Sequence, residues 1–154
     1  MYVTASPETC ARPIVGSVSC VEETASVEGE ERAMRNALQD ADIAPEAVGY
    51  INAHATGTSA GDPIEIEAID AVYGQDRDTP LALGALKGNL GHLEAAAGIA
   101  GLIKTVLVLQ HRRVPKNLHT TPQNPHVPWD DIPVEVITTE RGLGATPMAA
   151  VSSS

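Results

Sequence analysis

From Ala95 to Leu109 the chain is apolar in nearly every position, interrupted chiefly by Lys104 and Thr105. A helix that is apolar all round has no face to give to water, so a helix over about Leu93 to His111 is expected to lie buried between layers. Gly98 and Gly101 lower its helix propensity, a cost that makes sense where another backbone comes close. Aromatic side chains cannot fill the space around it, because the sequence holds three Tyr, one Trp and no Phe. The core must be Ala, Val, Leu and Ile, closely fitted. At 154 residues the chain suits one domain, burying roughly two thirds of its unfolded surface.

The segments on either side set the fold class. Residues 1 to 12 mix Thr, Ser, Pro and Glu without a period and read as a frayed lead-in. Pro13 to Cys20 reads as a first strand, with Pro13 tolerated at its start. A helix is expected from Glu28, where Met34, Ala37, Leu38 and Ala41 recur at helical spacing, to near Asp42. Val48 to Asn52 is the second strand and Leu81 to Leu86 the third. Between them Asp62-Pro63-Ile64-Glu65 carries the marks of a helix start, with Asp62 as N-cap, and Gly74 ends that helix. Pro115, Pro122, Pro125, Pro128 and Pro133 mark a non-helical crossing, Val134 to Thr138 a last strand, and a glycine-rich tail closes the chain. This alternation predicts an α/β fold with a mostly parallel sheet, a buried helix and covering helices.

Charge and composition narrow the partners. Ten Lys and Arg oppose 20 Asp and Glu, a formal net charge of −10, which disfavours a nucleic-acid partner. The longest uncharged apolar stretch, Ala95 to Ile103, is about half of what a membrane span requires. Cys10 and Cys20 form no CxxC pair, and a cytoplasmic location is expected. His54, His92, His111, His119 and His126 form neither HExxH nor any close Cys/His spacing, so no metal site is expected. Lys104 reads as a snorkelling cation and Glu28 to Glu31 as a solvated helix end.

In a parallel sheet, ligands meet the loops at the carboxyl ends of the strands. His54 follows the second strand and His92 the third. If those strands are neighbours, both imidazoles project from one edge, where they can donate to a developing oxyanion or move protons near neutral pH. Read from the pattern alone, they can equally be ordinary loop residues. Thr56 and Thr58 add hydroxyls suited to an amide-bearing ligand. Lys87 offers a fixed positive charge, with Glu94 near enough in sequence to hold it.

His54-Ala-Thr-Gly-Thr58, then Gly61-Asp-Pro-Ile-Glu65, then Lys87-Gly-Asn-Leu-Gly-His92-Leu-Glu-Ala-Ala-Ala-Gly98 together resemble the C-terminal half of a beta-ketoacyl synthase. The wording is closest to ketosynthase domains of modular type I polyketide synthases. The likeness runs from about Pro13 to Ser154 and implies a thiolase-like fold, of which only the C-terminal half is present. It implies an acyltransferase that performs decarboxylative Claisen condensation in polyketide or fatty-acid synthesis. A malonyl thioester on acyl carrier protein attacks an acyl group held on a cysteine. By resemblance His54 and His92 bind the malonyl carbonyl and stabilise the enolate, and Lys87 supports His92. Thr56 and Thr58 contact the phosphopantetheine arm, and Glu94 pairs with Lys87. No cofactor is bound directly. The implied partners are acyl carrier protein, the N-terminal ketosynthase half, and a second copy in a homodimer of the complete domain.

Several features depart from that family's pattern. The family's nucleophilic cysteine belongs to the other half, and neither Cys10 nor Cys20 matches it. The segment between Cys20 and Glu28 looks short, position 55 is Ala where type I domains usually carry Gly, and Val151-Ser-Ser-Ser154 reads as the start of a truncated loop. The chain is therefore expected to hold an acceptor site without a nucleophile, and to expose an apolar face. A non-catalytic fragment that binds carrier protein or pairs with a synthase is the competing class. A thiolase relative acting on coenzyme A esters suits the Gly-Asp-Pro-Ile-Glu stretch poorly.

Overall fold

The computed structural model describes residues 2–6, 9–14, 26–144 and 148–151. Strands β1 (Tyr2–Ser6), β2 (Thr9–Ile14), β3 (Tyr50–Ala53), β4 (Leu81–Ala85), β6 (Val134–Val136) and β8 (Met148–Val151) form one sheet, in the order β2-β1-β8-β3-β4-β6. The pairings of β8 with β3, β3 with β4 and β4 with β6 are parallel. Only β1 runs antiparallel, to both β8 and β2. A small second sheet joins β5 (Arg113–Val114) to β7 (Arg141–Gly142).

Helix α1 (Val27–Ala41) begins where Ser26 accepts a hydrogen bond from Gly29 N and stops at Asp42, which takes the left-handed conformation. Helix α2 (Gly61–Tyr73) packs beside it. Together they cover one face of the sheet, where Ile51, Ala53, Leu81, Leu83 and Ala150 meet Leu38, Ile66, Ile69 and Val72. Helix α4 (Ala97–His111) covers the other face, where Tyr50, Ala82 and Ala149 meet Val108 and Leu109. Neighbouring strand residues alternate between the two clusters, as the two-residue period of a strand requires. The α4 side is lined by small residues because a large one is already there. Tyr50 packs against Gly84, where an added Cβ would strike the phenol ring. Similarly, a Cβ on Gly101 would meet Asn52 Nδ2 at 2.9 Å, so the glycine lets α4 approach β3.

Several expectations change. Strands β1 and β2 stand in place of the irregular lead-in, and Pro13 and Ile14 end β2; the rest of the expected first strand, with the segment from Cys20 to Glu28 as far as residue 25, lies outside the described residues. The tail supplies β8, a central strand, where no strand is expected. Lys87–Leu90 forms one helical turn, α3, and Glu94–Ala96 a 3-10 turn, so α4 starts at Ala97 rather than Leu93. Most significantly, α4 is not enclosed. Gly101, Thr105, Val108 and Leu109 are buried, while Ile99, Ile103 and Leu107 are 56, 55 and 47% exposed. One sheet covers only one side of a helix, and the described chain places no second layer over the other. The longest helices have 15 residues, and no helix of the described residues is long and apolar enough to cross a membrane.

The Tyr50 hydroxyl is buried without a hydrogen-bond partner among the described residues. Burial also pushes its ionisation far above the ordinary phenol value. A hydroxyl removed from water and left unpaired costs free energy that a bare ring does not. Tyr50→Phe is expected to stabilise the chain by about 1 kcal/mol, read as a higher urea midpoint with an unchanged slope.

Candidate functional site

The parallel register of β3 on β4 sets Ala53 beside Ala85 at the carboxyl end of the sheet. His54 and Leu86-Lys87 therefore leave two neighbouring strands side by side. Lys87 Nζ lies 2.5 Å from His54 O and 3.0 Å from His54 Nδ1. The turn α3 carries the chain onward to His92, and the His54 and His92 rings meet edge to face, with centroids 5.4 Å apart and planes at 82°. Asn52, Ala53, Leu86, Lys87, Gly91 and Leu93 line a shallow cleft beside them.

Hydrogen bonding determines where each neutral ring carries its proton. A lysine ammonium only donates, so His54 Nδ1 accepts and the ring's proton sits on Nε2. His92 Nδ1 accepts from Glu94 N at 2.9 Å, which likewise leaves Nε2 as the protonated nitrogen. Burial, then the Lys87 charge, then His92 hold His54 down at about 4, so this imidazole is neutral at physiological pH. Burial also lowers Lys87, against the opposing pull of Glu65 and Asp62.

Behind His54 sits Glu65, a residue of α2 that the local sequence marks only as part of a helix start. It is 4% exposed, and its two oxygens accept from His54 N at 2.7 Å and Ala55 N at 2.8 Å. The side chain thus ties the loop after β3 to α2, instead of closing a capping box. Asp62 is not the N-cap either: it lies within α2, and its Oδ1 accepts from Gly57 N at 3.0 Å. The N-cap position is Ala60, and Thr58 Oγ1 accepts from Gly61 N, the first N–H of the helix, at 3.0 Å. Thr56 Oγ1 lies 3.3 Å from Thr58 Oγ1, so the two hydroxyls do meet.

The family pattern "Beta-ketoacyl synthase, C-terminal domain" matches residues 15–121. The chain belongs to the beta-ketoacyl synthase family. It is 48% identical over 111 residues to erythronolide synthase EryA2 of Saccharopolyspora erythraea, covering 72% of this chain and 3% of that protein. To pikromycin polyketide synthase component PikAIII of Streptomyces venezuelae it is 45% identical over 131 residues, covering 80% of this chain and 8% of the relative. Ketosynthase twelve of the bacillaene polyketide synthase of Bacillus amyloliquefaciens superposes with a TM-score of 0.79 at 35% identity, over 90% of this chain and 26% of that one. The fold is accordingly thiolase-like, and the chain spans a small part of the relatives it matches.

Two contacts expected at this candidate site are rearranged. Glu94 does not hold Lys87: it is exposed at a φ of 48°, and its backbone N–H, not its carboxylate, serves the site by fixing His92. The carboxylates that act on Lys87 are Glu65 and Asp62. The ammonium itself rests on His54 rather than His92. Lys104, expected to snorkel, turns inward to Ala85 O at 2.8 Å. Glu30, expected in a solvated helix end, has a buried Oε2, and burial followed by repulsion from Glu65 raises it to about 7.

Ala55 adopts a φ of 41°. An L-residue with a Cβ is strained in that region by roughly 1–2 kcal/mol, whereas glycine enters it freely at some entropic cost. Ala55→Gly is expected to stabilise the chain by about 0.5–1 kcal/mol, measured by urea denaturation.

The depressed His54 value also sets a pH window. Unfolded, the ring titrates near 6.5, and folded near 4, so between these values the unfolded chain binds the additional proton. The contribution of neutral His54 is complete above pH 6.5 and is lost as pH falls through 4. The raised Glu30 acts with the opposite sign, adding stability at low pH that is lost as pH rises through about 7. Subtracting one protein from another cancels the Glu30 contribution. The stability of the wild type minus that of His54→Gln is expected to fall between pH 7 and pH 4, measured by denaturation at each pH.

Proposed function

We propose that this chain supplies the acceptor-side histidines of a decarboxylative Claisen condensation, acting on a malonyl thioester carried by the phosphopantetheine arm of acyl carrier protein. The observation that carries this reading is the pair of rings held 5.4 Å apart, one bearing the Lys87 ammonium on its Nδ1. Two neutral imidazoles with protonated Nε2 atoms are two hydrogen-bond donors. A thioester carbonyl gains negative charge as carbon dioxide leaves and the enolate forms, and fixed donors stabilise that charge. A neutral His54 adds no cation that would bind and retain the malonyl carboxylate, the group that must depart. Thr56 and Thr58, at the rim, contact the arm. In the complete acyltransferase the enolate attacks an acyl group on a cysteine supplied by the other ketosynthase half; without that acceptor it takes a proton, giving an acetyl thioester and carbon dioxide.

The exposed stripe of Ile99, Ile103 and Leu107 supports a further part of this reading. A row of large apolar side chains along one helix is a surface suited to protein. We assign it to packing against the half that carries the cysteine, within a homodimer of the complete domain. The same stripe is what a non-catalytic ketosynthase-like fragment would use to pair with a synthase, so the assay must distinguish the two.

Incubation with malonyl-acyl carrier protein should release carbon dioxide slowly. His92→Ala is expected to cut that rate roughly 100-fold while leaving carrier-protein binding in place. Binding without release from the wild type would transfer the assignment to the scaffold.

A further inference from the structure

Outside the histidine site, two side chains grip the end of the strand that delivers Lys87. Strand β6 pairs with β4 only as far as Leu83, opposite Val136. Beyond it the Ala85 peptide needs other partners, since buried backbone groups left unpaired are costly. Asn117 supplies one: its Oδ1 accepts from Ala85 N at 2.8 Å while its Nδ2 donates to Leu83 O at 2.8 Å. Its own N–H donates to Ile137 O at 2.7 Å, so the amide is anchored at its base. Lys104, reaching down from α4, supplies the other by donating from Nζ to Ala85 O at 2.8 Å.

A half-buried lysine committed to a single carbonyl is an expensive way to satisfy one acceptor. Burial holds it down to about 8, and no carboxylate among the described residues acts to restore it. The location of that carbonyl explains the expense. Ala85 ends β4, and the chain turns there into Leu86 and Lys87, whose ammonium must reach His54 O and Nδ1 together. A small rotation of the Ala85 peptide would swing Lys87 off the ring. We propose that Lys104 and Asn117 are positioning residues, a clamp on the Ala85 peptide that sets where Lys87 meets His54. The clamp's side-chain hydrogen bonds go to the backbone of Ala85 and Leu83 and act whichever thioester the site takes, so it stands apart from the functional reading above.

The test uses the chain as it is, labelled with ¹³C-histidine and titrated by NMR, with the His54 signal assigned by its loss in His54→Gln. Wild-type His54 should titrate at about 4. In Lys104→Met, which keeps the apolar stem and removes the donor, that value should rise by roughly one pH unit as Lys87 withdraws. Asn117→Ala should shift it in the same direction, and Lys104→Arg, which keeps a donor, should restore it. Lys87→Met sets the upper limit of the shift. A folded Lys104→Met or Asn117→Ala whose His54 titrates as in the wild type overturns the proposal. Unfolding of both overturns it too, because these side chains would then serve global stability rather than one peptide.

Discussion

Everything at the candidate site follows from the parallel pairing of β3 with β4 in one register. Ala53 beside Ala85 puts His54 and Lys87 just beyond the ends of adjacent strands, at the same edge of the sheet. Side chains alternate with a period of two, so a slip by one residue would exchange the two faces of β4 and send Leu81 and Leu83 toward α4. That slip is opposed from both faces, by the α1–α2 cluster on one side and by Tyr50 against Gly84 on the other. Packing far from the histidines thus fixes their separation.

The site's electrostatics depend on burial more than on charge pairing. His54 is kept neutral first by loss of water and only then by the Lys87 cation. Lys87, in turn, is half-buried, yet it remains a donor to two atoms of one histidine. Glu65 completes the arrangement from behind, since its carboxylate is used up on the N–H groups of His54 and Ala55. Each imidazole Nδ1 faces a donor, Lys87 Nζ for His54 and Glu94 N for His92, which makes the ring's state definite. The result is a pair of neutral rings with defined tautomers, which is what stabilising a developing oxyanion requires.

The open side of α4 has a different origin. The helix is apolar nearly all round, and the described residues cover one of its sides. Ile99, Ile103 and Leu107 remain exposed, spaced at one turn each along the helix. On the inner side Gly101 lets the helix approach Asn52 while Val108 and Leu109 fill the space against the sheet.

How much of this was legible in the sequence depends on the range of the interaction responsible. Local patterns determined the alternation of helices and strands, because a period of 3.6 or 2 and a Pro or Gly stop act within a few residues. They also placed His54 and His92 in the loops after two strands, at one edge if those strands were neighbours, and the spaced motifs pointed to the ketosynthase family; the pairing of β3 with β4 met that condition. Tertiary structure alone decided which partner each polar group takes. Glu65 turns from its helix to the loop behind His54, Lys104 turns inward to Ala85, and Glu94 contributes its N–H instead of its carboxylate. It also decided that Met148–Val151 is a central strand, a short Ala-rich segment whose strand character comes from its neighbours β1 and β3. The physical reason is that propensity is set along the chain, whereas a hydrogen bond or a sheet register is chosen among groups that only folding brings together.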